Sequence, residues 1–141
     1  MRFHRILTCS LVVLLSLSGC DESKRCKVKA GETNFNFDPN SAAYSRLNTV
    51  GGYEYFVGGN RGVVVVRTSL YSFVAFDRTC PEDGTSQLSV SDDWGSALME
   101  CPTCGSRVNV YGDGAPIDGS ATRCFLYQYR TRMDDGLLYI Y

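Results

Sequence analysis

Apolar residues in this chain come in short runs or alternate with polar ones. Beyond the first nineteen positions no segment of ten or more keeps a 3.6-residue rhythm. Asn34 to Phe37 alternates, Tyr53 to Val57 is aromatic and β-branched, and Val63 to Val66 and Phe73 to Phe76 are compact apolar runs. Stretches of this length and composition predict strands. Gly58-Gly59-Asn60-Arg61-Gly62 predicts the turn before the valine run, and Thr68 to Ser72 the turn after it. Further short strands are expected at Leu88 to Val90, Ala97 to Cys101 and Arg107 to Val110. At the C-terminus Leu126 to Met133 and Leu137 to Tyr141 flank Asp134-Asp135-Gly136, and Asp-Gly favours a tight hairpin. Ser41 to Leu47 suits one helical turn and nothing longer. Many short strands with glycine-rich turns and no internal repeat predict an all-β domain of antiparallel strands, a small sandwich or barrel.

The first nineteen residues have a different character. Arg2, His4 and Arg5 precede a short apolar run from Ile6 to Leu17, too short for a spanning helix of about 20 residues and suited to a secretory signal. The run ends in Leu17-Ser18-Gly19-Cys20, which resembles the lipobox of bacterial lipoproteins. The resemblance implies cleavage before Cys20, acylation of its thiol and anchoring to a membrane of the cell envelope, periplasmic or surface-exposed. Asp21 resembles an inner-membrane retention signal used by some bacteria. Residues 20–30 then read as the lipidated cysteine and a mixed-charge tether, with Cys26 an unconstrained thiol within it. Residues 31–141 form the expected domain.

Processing changes the chemistry available. Of the 14 basic residues two leave with the signal, so 12 face 15 acidic ones and the net charge becomes −3. No basic run is present and the aromatics are not set among arginines, which argues against nucleic-acid binding. The one histidine, His4, leaves as well. A mature chain without imidazole excludes Ser-His and Cys-His nucleophilic pairs and His-ligated zinc, and no acid–base pair is evident, so an enzyme is the least favoured class.

Cys26, Cys80, Cys101, Cys104 and Cys124 remain beside Cys20, an odd number of thiols in an oxidising compartment. The pair Cys101 and Cys104 suits a zinc site, a redox dithiol, an iron–sulfur loop or a disulfide. A redox dithiol wants the pair at a helix N-terminus, whereas Gly105 to Gly114 alternates and turns as a strand does. A zinc ribbon wants two C-x-x-C knuckles, and the chain has one, with Cys80 and Cys124 isolated. Glu82, Asp83, Asp92 and Asp93 lack the spacing that preorganises calcium ligands and read as solvated loop charge. Tyr127, Tyr129, Tyr139 and Tyr141 lie in strand-like segments, where cross-strand packing is the expected role.

Two loops, Thr79-Cys80-Pro81-Glu82-Asp83 and Cys101-Pro102-Thr103-Cys104-Gly105-Ser106, stand at strand ends about twenty residues apart. After them come Gly112, Gly114-Ala115-Pro116, Gly119-Ser120-Ala121, Leu126 and Tyr129. This text, with LNTVGGYEYFVGGNRGVVVVR and FVAFDRTCP upstream, resembles the Rieske 2Fe–2S domain in an envelope-lipoprotein branch, over about residues 31 to 141. The resemblance implies an all-β Rieske-like fold with two ligand loops meeting at one end. It places the family cysteines on Cys80 and Cys101, and puts Glu82 and Cys104 where the family has histidines. Ser106 matches a serine that hydrogen-bonds a cluster sulfide, and Ser120 replaces the usual proline.

Three occupants of the loops stay open. A modified 2Fe–2S cluster would use Cys80 and Cys101 on one iron and Cys104 with Glu82 on the other, Cys124 being the softer alternative to Glu82. Without histidine ligands its potential is expected to lie below the Rieske range, and it would serve electron transfer to a redox partner the sequence does not name. Zinc would use the same thiolates with Cys124 or Glu82. A structural disulfide would join Cys80 or Cys101 to Cys104. The first belongs with the favoured function, a membrane-tethered electron-transfer protein, and the last two with the alternative, a non-redox binding or structural module.

Overall fold

The computed structural model of the protein describes residues 26, 28–29, 31–91 and 98–141. The signal segment, Cys20, most of the tether, Asp92, Asp93 and the start of the strand expected at Ala97 lie outside the described residues.

The described residues form ten short strands: β1 (Phe35–Phe37), β2 (Tyr53–Phe56), β3 (Val63–Arg67), β4 (Phe73–Asp77), β5 (Ser89–Val90), β6 (Leu98–Glu100), β7 (Arg107–Asn109), β8 (Gln128–Tyr129), β9 (Thr131–Asp134) and β10 (Leu137–Ile140). A 3₁₀ segment, Ala42–Asn48, stands where one helical turn was expected. Every strand pairing is antiparallel, in three sheets ordered β2-β3-β4-β8, β1-β10-β9 and β5-β6-β7.

The valine run explains how the sheets stack. Alternate side chains of a strand point to opposite faces, yet Val63, Val64, Val65 and Val66 are all fully buried. Both faces of β3 are therefore covered. Val64 and Val66 pack with Phe76, Leu88, Met99 and Val108 towards the β5-β6-β7 sheet. Val63 and Val65 pack with Phe37, Leu47, Leu138 and Ile140 towards the β1-β10-β9 sheet. The four-stranded sheet thus lies between two smaller ones, a core on either side.

The C-terminal hairpin turns at Asp135 and Gly136, whose φ angles of 48° and 78° are both positive, as a tight hairpin requires. The expected strand from Leu126 to Met133 is divided between sheets. Tyr129 pairs with Ala75 of β4, Arg130 exchanges backbone hydrogen bonds with Tyr141, and Thr131 then pairs with Ile140 of β10.

Asp77 ends β4 fully buried and holds the region before the first cysteine loop. Its carboxylate accepts from the Asn60 N–H (2.6 Å), the Arg61 N–H (3.4 Å), the Thr79 N–H (2.9 Å) and hydroxyl (2.6 Å), and the Tyr129 hydroxyl (2.8 Å). Gly59 has a φ of 59°, and a Cβ there would meet Tyr129 and Asp77, so the turn closes down on this carboxylate. Burial alone would raise the Asp77 pKa, but the hydrogen bonds from Asn60, Thr79 and Tyr129 outweigh it and hold it below the ordinary carboxylate value. A pKa depressed on folding stabilises the protein above the unfolded value of about 3.9, and that contribution fades as the pH falls through the folded value. Asp77→Asn is therefore expected to cost about 2–4 kcal/mol at neutral pH. In urea unfolding followed from pH 7 downwards, the gap between wild type and variant should narrow below about pH 4.

Candidate metal centre

Two loops of the same construction meet at the β5-β6-β7 end. The first runs from Thr79 to Gln87, which close it as an isolated bridge. Within it the Cys80 N–H donates to the Ser86 carbonyl (2.8 Å) and the Gly84 N–H donates back to the Cys80 carbonyl (2.8 Å). The second joins β6 to β7. There the Cys101 N–H donates to the Ser106 carbonyl (2.9 Å) and the Gly105 N–H to the Cys101 carbonyl (3.0 Å). Gly84 and Gly105 have φ angles of 72° and 70°, a conformation that glycine adopts at no steric cost. Each loop is thus a knuckle reading Cys-Pro-x-x-Gly, in which the first and fourth side chains turn inward. The Ser86 hydroxyl, donating to the Thr103 hydroxyl at 2.8 Å, ties one knuckle to the other.

This construction decides which side chains converge. Asp83 occupies in the first knuckle the place that Cys104 holds in the second. The ligand atoms of Cys80, Asp83, Cys101 and Cys104 all lie within 4.8 Å of one another. Cys80 and Cys101 are buried, and Asp83 and Cys104 are half-buried. Cys80 Sγ is 3.5 Å from Cys104 Sγ, and Cys101 Sγ is 3.6 Å from Asp83 Oδ2. Glu82, expected as a ligand, is not in this group. It stands third in its knuckle, where the other loop places the exposed Thr103.

Cys124 is not in the group either. It forms a disulfide with Cys26, 98 positions away, with a Cα–Cα distance of 5.6 Å. A sulfur bonded to sulfur has no thiolate to offer, so Cys124 is removed from the ligand set, and Cys26 is no loose tether thiol. Neither disulfide expected within the loops is present. Cys80, Cys101 and Cys104 are free thiols.

The thiols are electrostatically unlike. Burial pushes Cys80 up to about 12, against the help of the Asp83 and Glu82 N–H groups. Burial also opposes ionisation of Cys104, but hydrogen bonds from the Ser106 hydroxyl and N–H, Cys80 and Cys101 outweigh it and hold this thiol below its ordinary value. Asp83 lies well below the usual carboxylate range. The Ser86 N–H is the largest cause, and the Thr85 N–H, the Ser86 hydroxyl and Cys101 also overcome a burial effect of opposite sign. Of these two thiols Cys104 is thus the readier to ionise, while burial keeps Cys80 protonated beside it.

Three sulfurs and a carboxylate are a fitting donor set for one tetrahedral ion. With zinc–sulfur bonds of about 2.3 Å, the edges of such a tetrahedron measure about 3.8 Å, close to the 3.5 and 3.6 Å contacts here. Two irons bridged by two sulfides need their ligand pairs set apart on either side of the cluster, a wider arrangement than one tetrahedron. Ser106 is fully buried and its hydroxyl lies 3.0 Å from Cys104 Sγ, where it orients that ligand from behind. Ser106→Ala is expected to weaken metal binding by roughly 10-fold, in keeping with the loss of an outer-shell hydrogen bond, as read by competition with a chromophoric chelator.

Asp83, expected as solvated loop charge, is instead part of the centre, and Asp77 was not singled out by its sequence context. For Asp83 the signal was the parallel between Cys80-Pro81-Glu82-Asp83-Gly84 and Cys101-Pro102-Thr103-Cys104-Gly105. For Asp77 no local pattern announces a buried carboxylate.

No protein-family model matches the chain, and no curated protein matches it. Among solved structures, the chain is similar to the ferredoxin of carbazole 1,9a-dioxygenase from Nocardioides aromaticivorans IC177, at 21% identity over 65% of this chain and 86% of that one, with a TM-score of 0.46.

Proposed function

We propose that this domain is a non-catalytic binding or structural module of a bacterial envelope lipoprotein, a Rieske-type frame whose two loops hold a single metal ion, zinc being the best fit. The observation that carries this reading is the convergence of Cys80, Asp83, Cys101 and Cys104 within one tetrahedron's span. Zinc accepts both thiolate and carboxylate and needs no redox partner. The loop sequences and their meeting at one end support the Rieske-type ancestry. The envelope assignment rests on the lipobox resemblance at Cys20, with anchoring through acyl chains. No helix among the described residues is long and apolar enough to cross a membrane.

The test is metal and acid-labile sulfide analysis of protein purified without air. One zinc per chain and no sulfide are expected, and cobalt substituted for the zinc should give intense sulfur-to-cobalt absorption. Two irons with two sulfides and a brown colour would instead establish the electron-transfer reading, which Ser106 beside Cys104 favours. A metal-free protein lighter by two hydrogens than the Cys26–Cys124 form would establish a disulfide between the loops.

A further inference from the structure

A second site stands beside the metal loops. Arg78 follows β4, two positions before Cys80, and is only 9% exposed. Its guanidinium carbon sits 3.7 Å from the centroid of the Tyr55 ring. That ring is fixed in turn by the Val90 N–H, which donates to the Tyr55 hydroxyl at 2.8 Å. Of the five guanidinium N–H donors, the Nε one goes to the Leu88 carbonyl at 2.9 Å. No carboxylate among the described residues pairs with Arg78, whereas Arg132, for example, pairs with Asp134. The neighbouring Asp77 turns its oxygens to Asn60, Arg61, Thr79 and Tyr129 instead.

A buried cation without a counter-charge is costly, and arginine's planar fork matches carboxylate and phosphate oxygens two at a time. Arg78 lines an open hollow of about 540 Å³ together with Arg61, Gln87 and the turn from Gly58 to Gly62. Gly62 has a φ of 90°, and a Cβ there would lie 3.7 Å from Arg78 Cδ, so the absence of a side chain keeps the approach clear. Gln87 donates to the Arg61 carbonyl, which holds the rim in place.

We propose that this hollow binds a small oxyanion of the carboxylate or phosphoryl class, with the Arg78 fork at its floor and the exposed Arg61 at its rim. The site is distinct from the metal centre and shares only the stems of the first loop. Arg78 opens that loop and Gln87 and Leu88 close it, the Leu88 N–H donating to the Arg78 carbonyl at 2.7 Å.

The test uses metal-loaded protein titrated with inorganic phosphate, and separately with acetate, against chloride at matched ionic strength. The readouts are thermal midpoint and amide shifts of Gln87 and Leu88. Saturable shifts with one of the two anions are expected, and the tighter one assigns the class. Arg61→Gln should weaken binding roughly 10-fold, the scale of one charged hydrogen bond, without unfolding the protein. Arg78→Lys, which keeps the charge and loses the fork, should weaken it further. Responses equal to chloride for both anions would overturn the proposal, as would equal binding by wild type and Arg61→Gln.

Discussion

Removing the metal, or replacing Cys101 by Ser, is expected to loosen the loop end of the molecule while leaving the opposite sheet in place. Cys80, Cys101, Met99 and Val108 belong to one buried cluster, so the ligand sulfurs are also part of the core beneath β5, β6 and β7. At its edge three free thiols and the Asp83 carboxylate bring their ligand atoms within 4.8 Å of one another. Structural zinc binds short peptides with apparent energies of about 10–16 kcal/mol, but this domain has a second core that contains none of the ligand residues. A metal at 1,000 times its dissociation constant adds about 4 kcal/mol to stability, and for a domain of this size that is a fall of on the order of 15 °C in Tm on chelation. The measurement is a thermal melt under reductant with and without chelator, followed by amide hydrogen exchange. Protection should be lost in β5 to β7 and kept in β1, β9 and β10. Cys101→Ser should melt like the chelated wild type and respond no further to chelator. Asp83→Cys, which completes a four-thiolate set, should bind zinc more tightly. A wild-type melt that chelator leaves unchanged would sink the single-ion reading.

The second large effect belongs to Cys26–Cys124. A crosslink across 98 positions removes nearly the whole loop-closure entropy available to a chain of this length. In the chain-entropy account a loop of that size is worth about 4–5 kcal/mol. Cys26→Ser combined with Cys124→Ser should therefore lower Tm by on the order of 15 °C, with the β-sheet circular dichroism below the transition unchanged. Metal content should also be unchanged, because neither sulfur belongs to the candidate centre. A double variant that loses its metal at ambient temperature would return Cys124 to the ligand set.

The strands were readable because each is specified locally, by a short apolar run between glycine-rich turns. What covers them was not. Four consecutive valines announce a buried strand, but nothing in Val63 to Val66 says that two different sheets lie on its faces. The division at Arg130 was invisible for a related reason, since alternation continues unbroken from Leu126 to Met133 while the pairing partner changes from β4 to β10. At the centre, the three cysteines of the loops could be named from the text. The fourth ligand could not be while the first loop was aligned on the Rieske pattern it resembles, which puts the position on Glu82. The hydrogen-bonded knuckle sets a first-and-fourth geometry and selects Asp83. Cys26 and Cys124 are remote in sequence, and nothing in the text joined them: Cys26 read as an unconstrained tether thiol and Cys124 as a candidate ligand.

The disulfide would also alter how far the domain could stray from the proposed anchor at Cys20. With acylation at Cys20, the ten-residue tether would let the domain wander roughly 35 Å from the bilayer. Cys26 is instead stitched to Cys124, so only the six peptide steps from Cys20 remain as leash, about 20 Å at full extension. Were the chain so acylated, reduction of that one bond would lengthen the span between Cys20 and the domain and let the body sit farther from the bilayer.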